Sequence, residues 1–175
     1  MFLFARAELL ERRRDVAGLL ALFSDPRSPP YERAIAARAF LGLRDHLGDL
    51  RAAVVQALLR SAERDGTYVR RDALLALAEL GAREALAAFR SAATDREWII
   101  RFFAAHGFDR LADPTTVADV VGLLADDESQ VREVAVAALA SIGDLRARPH
   151  LETIARTDRY ASVREAASDA LAALG

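Results

Sequence analysis

Five side chains near the middle of the chain have the types and spacing of a binding surface. Trp98, Phe102 and His106 follow one another at intervals of four residues, and Asp109 and Arg110 come soon after. In a helix, which turns once in about 3.6 residues, the three rings form one stripe with the charged residues at its end. Aromatic side chains beside arginine are common in binding hot spots, so this pattern predicts a partner-binding patch.

The same rings could instead pack between helices. An aromatic stripe at helical spacing is more often part of a core than of a site, and Trp98 could cover a helix end. Phe103 and Phe108 are both expected to face the core. Phe102 favours the surface, because it occupies a position where similar segments of the chain carry a charged residue. Both interpretations stay open at the level of the sequence.

Residues for catalysis or metal binding are scarce. The chain has no cysteine, which excludes disulfides, cysteine nucleophiles and cysteine-based metal sites. Its histidines, His46, His106 and His150, lie far apart in the sequence. No nucleophile–base pair and no glycine-rich phosphate loop is visible. We therefore expect no catalytic residues, no cofactor and no metal, and a protein that is not an enzyme.

The aromatic stripe belongs to one copy of a repeated segment. The first residues of four copies are 31, 31 and 32 residues apart. Small or apolar residues recur four, seven, eight and eleven positions after each first residue, which is one face of a helix. Three copies end in glycine, the residue that best closes a helix in the left-handed conformation. Such a period is typical of a solenoid. The copies are Val69–Gly81, Ile100–Ala112, Val131–Gly143 and Val163–Gly175.

Each repeat is expected to contain two helices. The segment that begins at Val16 resembles the one that begins at Val117, and both end near an aspartate and precede a repeated segment. The sequence thus predicts an all-α fold, an α-α superhelix of five two-helix repeats plus an N-terminal helix. Asp15 is expected to cap a helix that begins at Val16, and Pro149 to delay or kink the helix around it. Residues 1–175 are expected to form one domain, with a capping helix over 1–14 and repeats over 15–43, 48–80, 82–111, 113–142 and 144–175.

This pattern resembles the HEAT repeat family, in particular the short bacterial HEAT-like repeats of the bilin-lyase type. Its most specific element is an aspartate in the turn within each repeat, followed six residues later by an arginine of the second helix. The spacing is one residue shorter in Asp65–Arg70 and two longer in Asp25–Arg33. We expect each arginine to bond an aspartate of its own or the neighbouring repeat in a structural ladder. The regular pairs are Asp95–Arg101, Asp126–Arg132 and Asp158–Arg164.

The resemblance implies that the second helices line a concave surface. The leading interpretation is a non-catalytic scaffold that binds a protein partner on that surface. The expected contact residues are Trp98, Phe102, His106, Asp109 and Arg110. The family also includes hydroxylases that hold iron with His-Glu pairs, and this chain has no such pair.

Two alternatives remain. Nucleic-acid binding would use residues 1–71, which carry 13 arginines and 9 acidic residues, whereas residues 72–175 carry 11 arginines and 17 acidic residues. The net charge of the whole chain is −2, and neither half has the charge density of a dedicated nucleic-acid binder. A lyase-like or ligand-cradling protein would instead hold a planar ligand against Trp98 and Phe102. The sequence names no partner and no oligomeric state.

Targeting signals give little information. The apolar residues before Arg6 and Glu8 are too few for a signal peptide, and no apolar run approaches the roughly 20 residues of a membrane-spanning helix. Together with the absence of cysteine, this favours a cytoplasmic location and no membrane partner.

Overall fold

The computed structural model describes residues 5–175. These residues form eleven α-helices and five short 3-10 helices, without a β-strand. The first four residues of the predicted capping helix over 1–14 lie outside the described part. The chain separates into two compact units, with the boundary between Ala88 and Phe89.

The first unit is built on two helix pairs and one preceding helix. The helices are α1 (Arg6–Arg12), α2 (Val16–Ser24), α3 (Pro30–Gly42), α4 (Arg51–Arg64) and α5 (Thr67–Glu79). Helix α2 packs on α3, α4 packs on α5, and the second helices α3 and α5 lie side by side. The N-terminal helix α1 packs against α3 and α2.

Two carboxylates fix the beginning of the first unit. The Asp15 side chain accepts a hydrogen bond from the Gly18 amide at 2.8 Å, which confirms the predicted cap of α2. The buried Glu32 of α3 accepts bonds from the backbone amides of Arg6 and Ala7, both at 2.8 Å. These amides have no partner within α1, so Glu32 ties the start of that helix to α3.

The second unit repeats the same arrangement. Helix α6 (Leu86–Ala92) crosses the unit boundary, and the other helices are α7 (Trp98–Leu111), α8 (Val117–Leu123), α9 (Ser129–Ile142), α10 (Arg148–Thr157) and α11 (Ala161–Ala173). The second helices α7, α9 and α11 pack side by side, while α8 packs on α9 and α10 on α11. A short 3-10 turn, Leu145–Ala147, precedes α10 and places Pro149 in its first turn, which confirms the predicted late start.

The ends of the second helices show why glycine recurs there. Gly81 and Gly143 adopt φ angles of 60° and 71°, in the left-handed region. Ala112 closes α7 in the same way at φ 46°, although its Cβ makes that conformation unfavourable by about 1 kcal/mol. The geometry of the repeat is therefore kept where its preferred residue is missing.

One departure of α7 from the other copies is explained by packing. Gly107 stands where α9 has Ala138, and a Cβ at Gly107 would lie 2.4 Å from the ring of Phe89. Phe89 is fully buried and meets Phe108 edge to face, with ring centroids 6.3 Å apart. Glycine at this position therefore makes room for the Phe89 ring between α6 and α7.

Candidate partner-binding site

An arginine ladder holds the second helices in register. The Arg132 guanidinium donates two hydrogen bonds to the Asp158 carboxylate, at 2.7 and 2.9 Å, and a third to the Asp126 carbonyl at 2.8 Å. Arg101 likewise donates to the Asp126 carboxylate at 2.6 and 2.8 Å and to the Asp95 carbonyl at 2.9 Å. The predicted ladder is confirmed in a specific form. Arg101 and Arg132 each bond the backbone of their own turn and the carboxylate of the following repeat, whereas Arg164, within residues 5–175, bonds only the Asp158 carbonyl of its own turn.

The aspartates of the ladder also shape the turns that contain them. Asp126 accepts a bond from the Glu128 amide at 3.0 Å, and Asp158 accepts one from the Tyr160 amide at 2.9 Å. Each aspartate thus organises the approach to its own second helix while it receives the preceding arginine. This double role gives a physical reason for the fixed spacing of the motif.

The irregular spacing of the first repeat does not interrupt the ladder. Arg33 donates to both oxygens of Asp65, at 2.8 and 2.5 Å, and to the Phe23 carbonyl at 2.7 Å. Arg70 donates to the Ala62 carbonyl at 3.0 Å. In both turns the backbone acceptor has moved with the longer or shorter spacing, and Arg33 still bonds the carboxylate of the following repeat.

The ladder carboxylates remain ionised well into acid. The Arg132 hydrogen bonds lower the pKa of Asp158 and outweigh the effect of burial. Burial alone would raise the pKa of Asp126, but hydrogen bonds from Arg101 and from the Glu128 amide leave this pKa below its ordinary value. The ladder is therefore a set of formed ion pairs whose groups are occupied in holding helices together.

On the solvent-facing side of α7 the rings form a continuous cluster. Trp98 meets Phe102 with centroids 6.5 Å apart, Phe102 meets Phe103 at 5.2 Å, and Phe103 meets His106 at 6.4 Å, all edge to face. Trp98 is 40% exposed, and the other three rings are partly exposed. We call these four residues the ring cluster.

The ring cluster includes a residue that the sequence places elsewhere. Phe103 was expected to face the core, but it is partly exposed and joins Phe102 to His106. The core side of α7 is occupied by Ile100, Ala104 and Phe108, all fully buried, and Phe103 lies on the flank between that side and the stripe. The prediction is wrong for Phe103 and correct for Phe108.

The two charged candidates lie at the far end of α7. Asp109 accepts a hydrogen bond from the Ser141 hydroxyl of α9 at 2.6 Å, so it links the two helices. Arg110 is exposed. The structure therefore joins Trp98, Phe102 and His106 through ring contacts and places Asp109 and Arg110 beyond them on the same helix.

Two classes of site have no counterpart in the described residues. No group of three or more histidine, aspartate or glutamate side chains in residues 5–175 is arranged to hold a metal ion. Within the same range, no helix has the length and apolar character needed to cross a membrane.

Comparison with known protein families finds a match in the second half of the chain. Residues 91–172 match the family model described as HEAT repeats. This segment belongs to the HEAT repeat family. The match includes α7, α9 and α11, so the ring cluster lies on the second helix of a HEAT repeat. No curated protein matches the chain.

Solved structures extend the similarity to nearly the whole chain. A designed armadillo repeat protein in complex with the peptide (KR)4 has a TM-score of 0.75 and 17% identity, and the match covers 97% of this chain and 85% of that one. The CpcE–CpcF complex of phycocyanin lyase from Nostoc sp. PCC7120 has a TM-score of 0.77 and 23% identity over 91% of this chain and 64% of that chain. Human deoxyhypusine hydroxylase in complex with glycerol has a TM-score of 0.59 and 19% identity over 96% and 76%. At these identities the likeness shows the fold, and it confirms the predicted helical-repeat class.

Proposed function

We propose that this HEAT repeat protein is a non-catalytic scaffold that binds a protein partner. The contact surface lies on the second helices of the second unit and centres on Trp98, Phe102 and His106. Phe103 adds to its apolar area, and Asp109 and Arg110 extend it toward the end of α7. The observation that carries the proposal is the ring cluster. Four aromatic side chains touch one another in sequence on a helix whose other side is already filled by the core.

The helix that carries the rings is held from two directions. Arg101 ties α7 to the following repeat, and Ile100, Ala104 and Phe108 fill its core side. Each edge-to-face ring contact is worth about 0.5–1.5 kcal/mol, so the rings limit one another's rotamers. A partner therefore meets a surface that is already ordered, which reduces the entropic cost of binding.

Nucleic-acid binding receives less support. In the first unit, Arg33 is paired with Asp65, while Arg38 and Arg71 both approach Asp72. Part of the arginine excess of residues 1–71 is therefore engaged within the unit. A lyase-like role would place a planar ligand on the same rings, and similarity to a lyase complex shows the fold alone. The assignment of residues 1–175 to one domain and to the cytoplasm stays a prediction.

The test is selection of binders from a random peptide library displayed on phage. We expect selected peptides to bind the wild type and to bind Trp98→Ala/Phe102→Ala at least about tenfold more weakly, since hot-spot aromatics contribute about 2 kcal/mol or more each. The matched control is Tyr31→Ala/Tyr68→Ala, which removes two exposed aromatic rings, 60% and 69% exposed, from the first unit.

The control decides the interpretation. Binders that lose affinity for the Trp98/Phe102 variant and keep it for the Tyr31/Tyr68 variant support the proposal. Selected peptides whose affinities for the two variants fall equally, or a library that yields no binder, contradict it.

A further inference from the structure

The helices beside the ring cluster carry exposed carboxylates. Glu133 of α9 and Glu165 of α11 occupy the repeat position that Phe102 occupies in α7, and Asp169 occupies that of His106. All three are exposed, and none makes an ion pair or a side-chain hydrogen bond with another residue of the range 5–175. Because α7, α9 and α11 pack side by side, equivalent positions face the same way. The rings and the carboxylates thus form one surface, which we call the aromatic–acidic face.

Two of these carboxylates repel each other in the free protein. Glu165 and Asp169 are four residues apart on α11, a spacing that brings them together on the helix surface. Like charges at this spacing destabilise a helix. A cation bound between them would remove that repulsion.

A guanidinium suits both parts of this face. It pairs with carboxylates through parallel hydrogen bonds, and it stacks on aromatic rings through cation–π attraction. The second unit already combines arginine with both groups: Arg159 lies over the Tyr160 ring at 5.1 Å, and Arg132 lies over the same ring at 5.7 Å while it binds Asp158. An ammonium group would use the charge but has no planar surface for stacking.

We propose, on the basis of the binding function above, that the partner contributes an extended, arginine-rich segment to the aromatic–acidic face. The segment crosses α7, α9 and α11, so that its arginines meet the rings first and then Glu133, Glu165 and Asp169. Neighbouring helices are about 8–10 Å apart and an extended chain rises about 3.3 Å per residue, so about six residues span the three helices. Charge complementarity selects this segment over an acidic or neutral one.

The experiment uses Trp98, the only tryptophan of the chain, as the probe of its own site. The full-length protein is titrated with the octapeptide (RS)4 at low salt, and Trp98 emission is followed. We expect a saturable change that weakens as salt is added, since exposed charges are screened. Neutralising Glu133→Gln/Glu165→Gln should weaken binding about tenfold, because two exposed ion pairs are lost while stacking on the rings is retained.

A second pair of neutral variants separates position from net charge. Glu84→Gln/Glu152→Gln changes the net charge equally and alters two exposed glutamates outside the face. Affinity within about twofold of the wild type for this control supports the proposal. Equal weakening by both double variants would show non-specific attraction and overturn it. Circular dichroism of each variant confirms that it is folded.

The remaining outcomes separate this proposal from the binding function itself. If the neutral peptide (GS)4 or the acidic peptide (ES)4 changes Trp98 emission as strongly as (RS)4, the arginine-rich partner is wrong. If (RS)4 gives no change while phage-selected peptides bind in a Trp98-dependent way, only the chemistry of the partner is wrong. If sedimentation shows an oligomer that Trp98→Ala abolishes, the occupant is a second copy and the proposal falls.

Discussion

The second helices of the two units present their charges in opposite ways. In the first unit, Arg38 and Arg71 both approach the buried Asp72, at 3.4 and 2.8 Å, and Arg71 lies over the exposed Tyr68 ring at 5.0 Å. Asp72 is thus paired with both arginines, although the oxygen nearest Arg38 lacks a hydrogen bond. In the second unit, the carboxylates of Glu133 and Glu165 have no such partners.

Within the repeat, the residues that hold the helices together are thus the same in both units, and the solvent-facing residues differ. The ladder arginines serve the same purpose in both units, because Arg33 and Arg132 each bind the aspartate of a following repeat. What changes is the composition of the solvent-facing side. The scaffold positions should therefore govern the free energy of unfolding, and the aromatic–acidic face should govern binding.

The largest effect is expected from a buried rung of the ladder. Asp158→Ala leaves the Arg132 guanidinium, whose side chain is 6% exposed, without a carboxylate, and should lower the free energy of unfolding by about 3–5 kcal/mol. The control is Asp119→Ala, which breaks the exposed Arg90–Asp119 pair and should cost less than about 1 kcal/mol. Urea denaturation measures both. Equal costs would mean that the ladder is not the scaffold.

Acid should remove part of the same contribution. The pKa values of Asp126 and Asp158 are lowered in the folded protein, so the stability that they contribute is present above their ordinary pKa of 3.8. That stability is lost as the pH falls through the folded values. The free energy of unfolding of the wild type should therefore decrease steeply below about pH 4. Asp158→Ala should show a shallower decrease, and an identical pH dependence in the two proteins would argue against the ladder.

A smaller effect is expected at Gly107, where α7 differs from the other second helices because of core packing and not because of its surface. Gly107→Ala forces a methyl group into the Phe89 ring and should cost about 1–3 kcal/mol. Gly122→Ala is the matched control, because Gly122 lies in α8 with nothing within 4 Å of the added Cβ. There the better helix propensity of alanine should stabilise by up to about 1 kcal/mol. Thermal and urea unfolding of the two variants should move in opposite directions.

The smallest expected change is a gain. Ala112→Gly restores the residue that suits a φ of 46° and should stabilise the protein by about 1 kcal/mol. The reverse exchange, Gly143→Ala at φ 71°, should destabilise by a similar amount. A loss of stability in Ala112→Gly would contradict the left-handed end of α7.

The repeat pattern predicts the backbone better than it predicts the flanks of the helices. It identified the helix that begins at Val16 and the Asp–Arg motif, because both depend on spacing within the chain. It misplaced Phe103 because a flank residue can turn toward the core or toward neighbouring surface rings, and periodicity does not decide between them. The repeat pattern also gives no reason for glycine at position 107, because the cause is the ring of Phe89 on another helix.

The aromatic–acidic face is likewise predictable in part. The stripe of Trp98, Phe102 and His106 follows from intervals of four residues within one helix. The carboxylates of Glu133 and Glu165 join it only when α9 and α11 pack beside α7. Their signal in the sequence is that they share the repeat position of Phe102, which becomes informative once the register of the ladder is known.

The most direct test of the surface assignment is acrylamide quenching of Trp98 fluorescence in the free protein. A ring that is 40% exposed should be quenched readily, and a bound peptide should protect it. Emission that resists acrylamide in the free protein would place Trp98 in the core and contradict the proposed binding face.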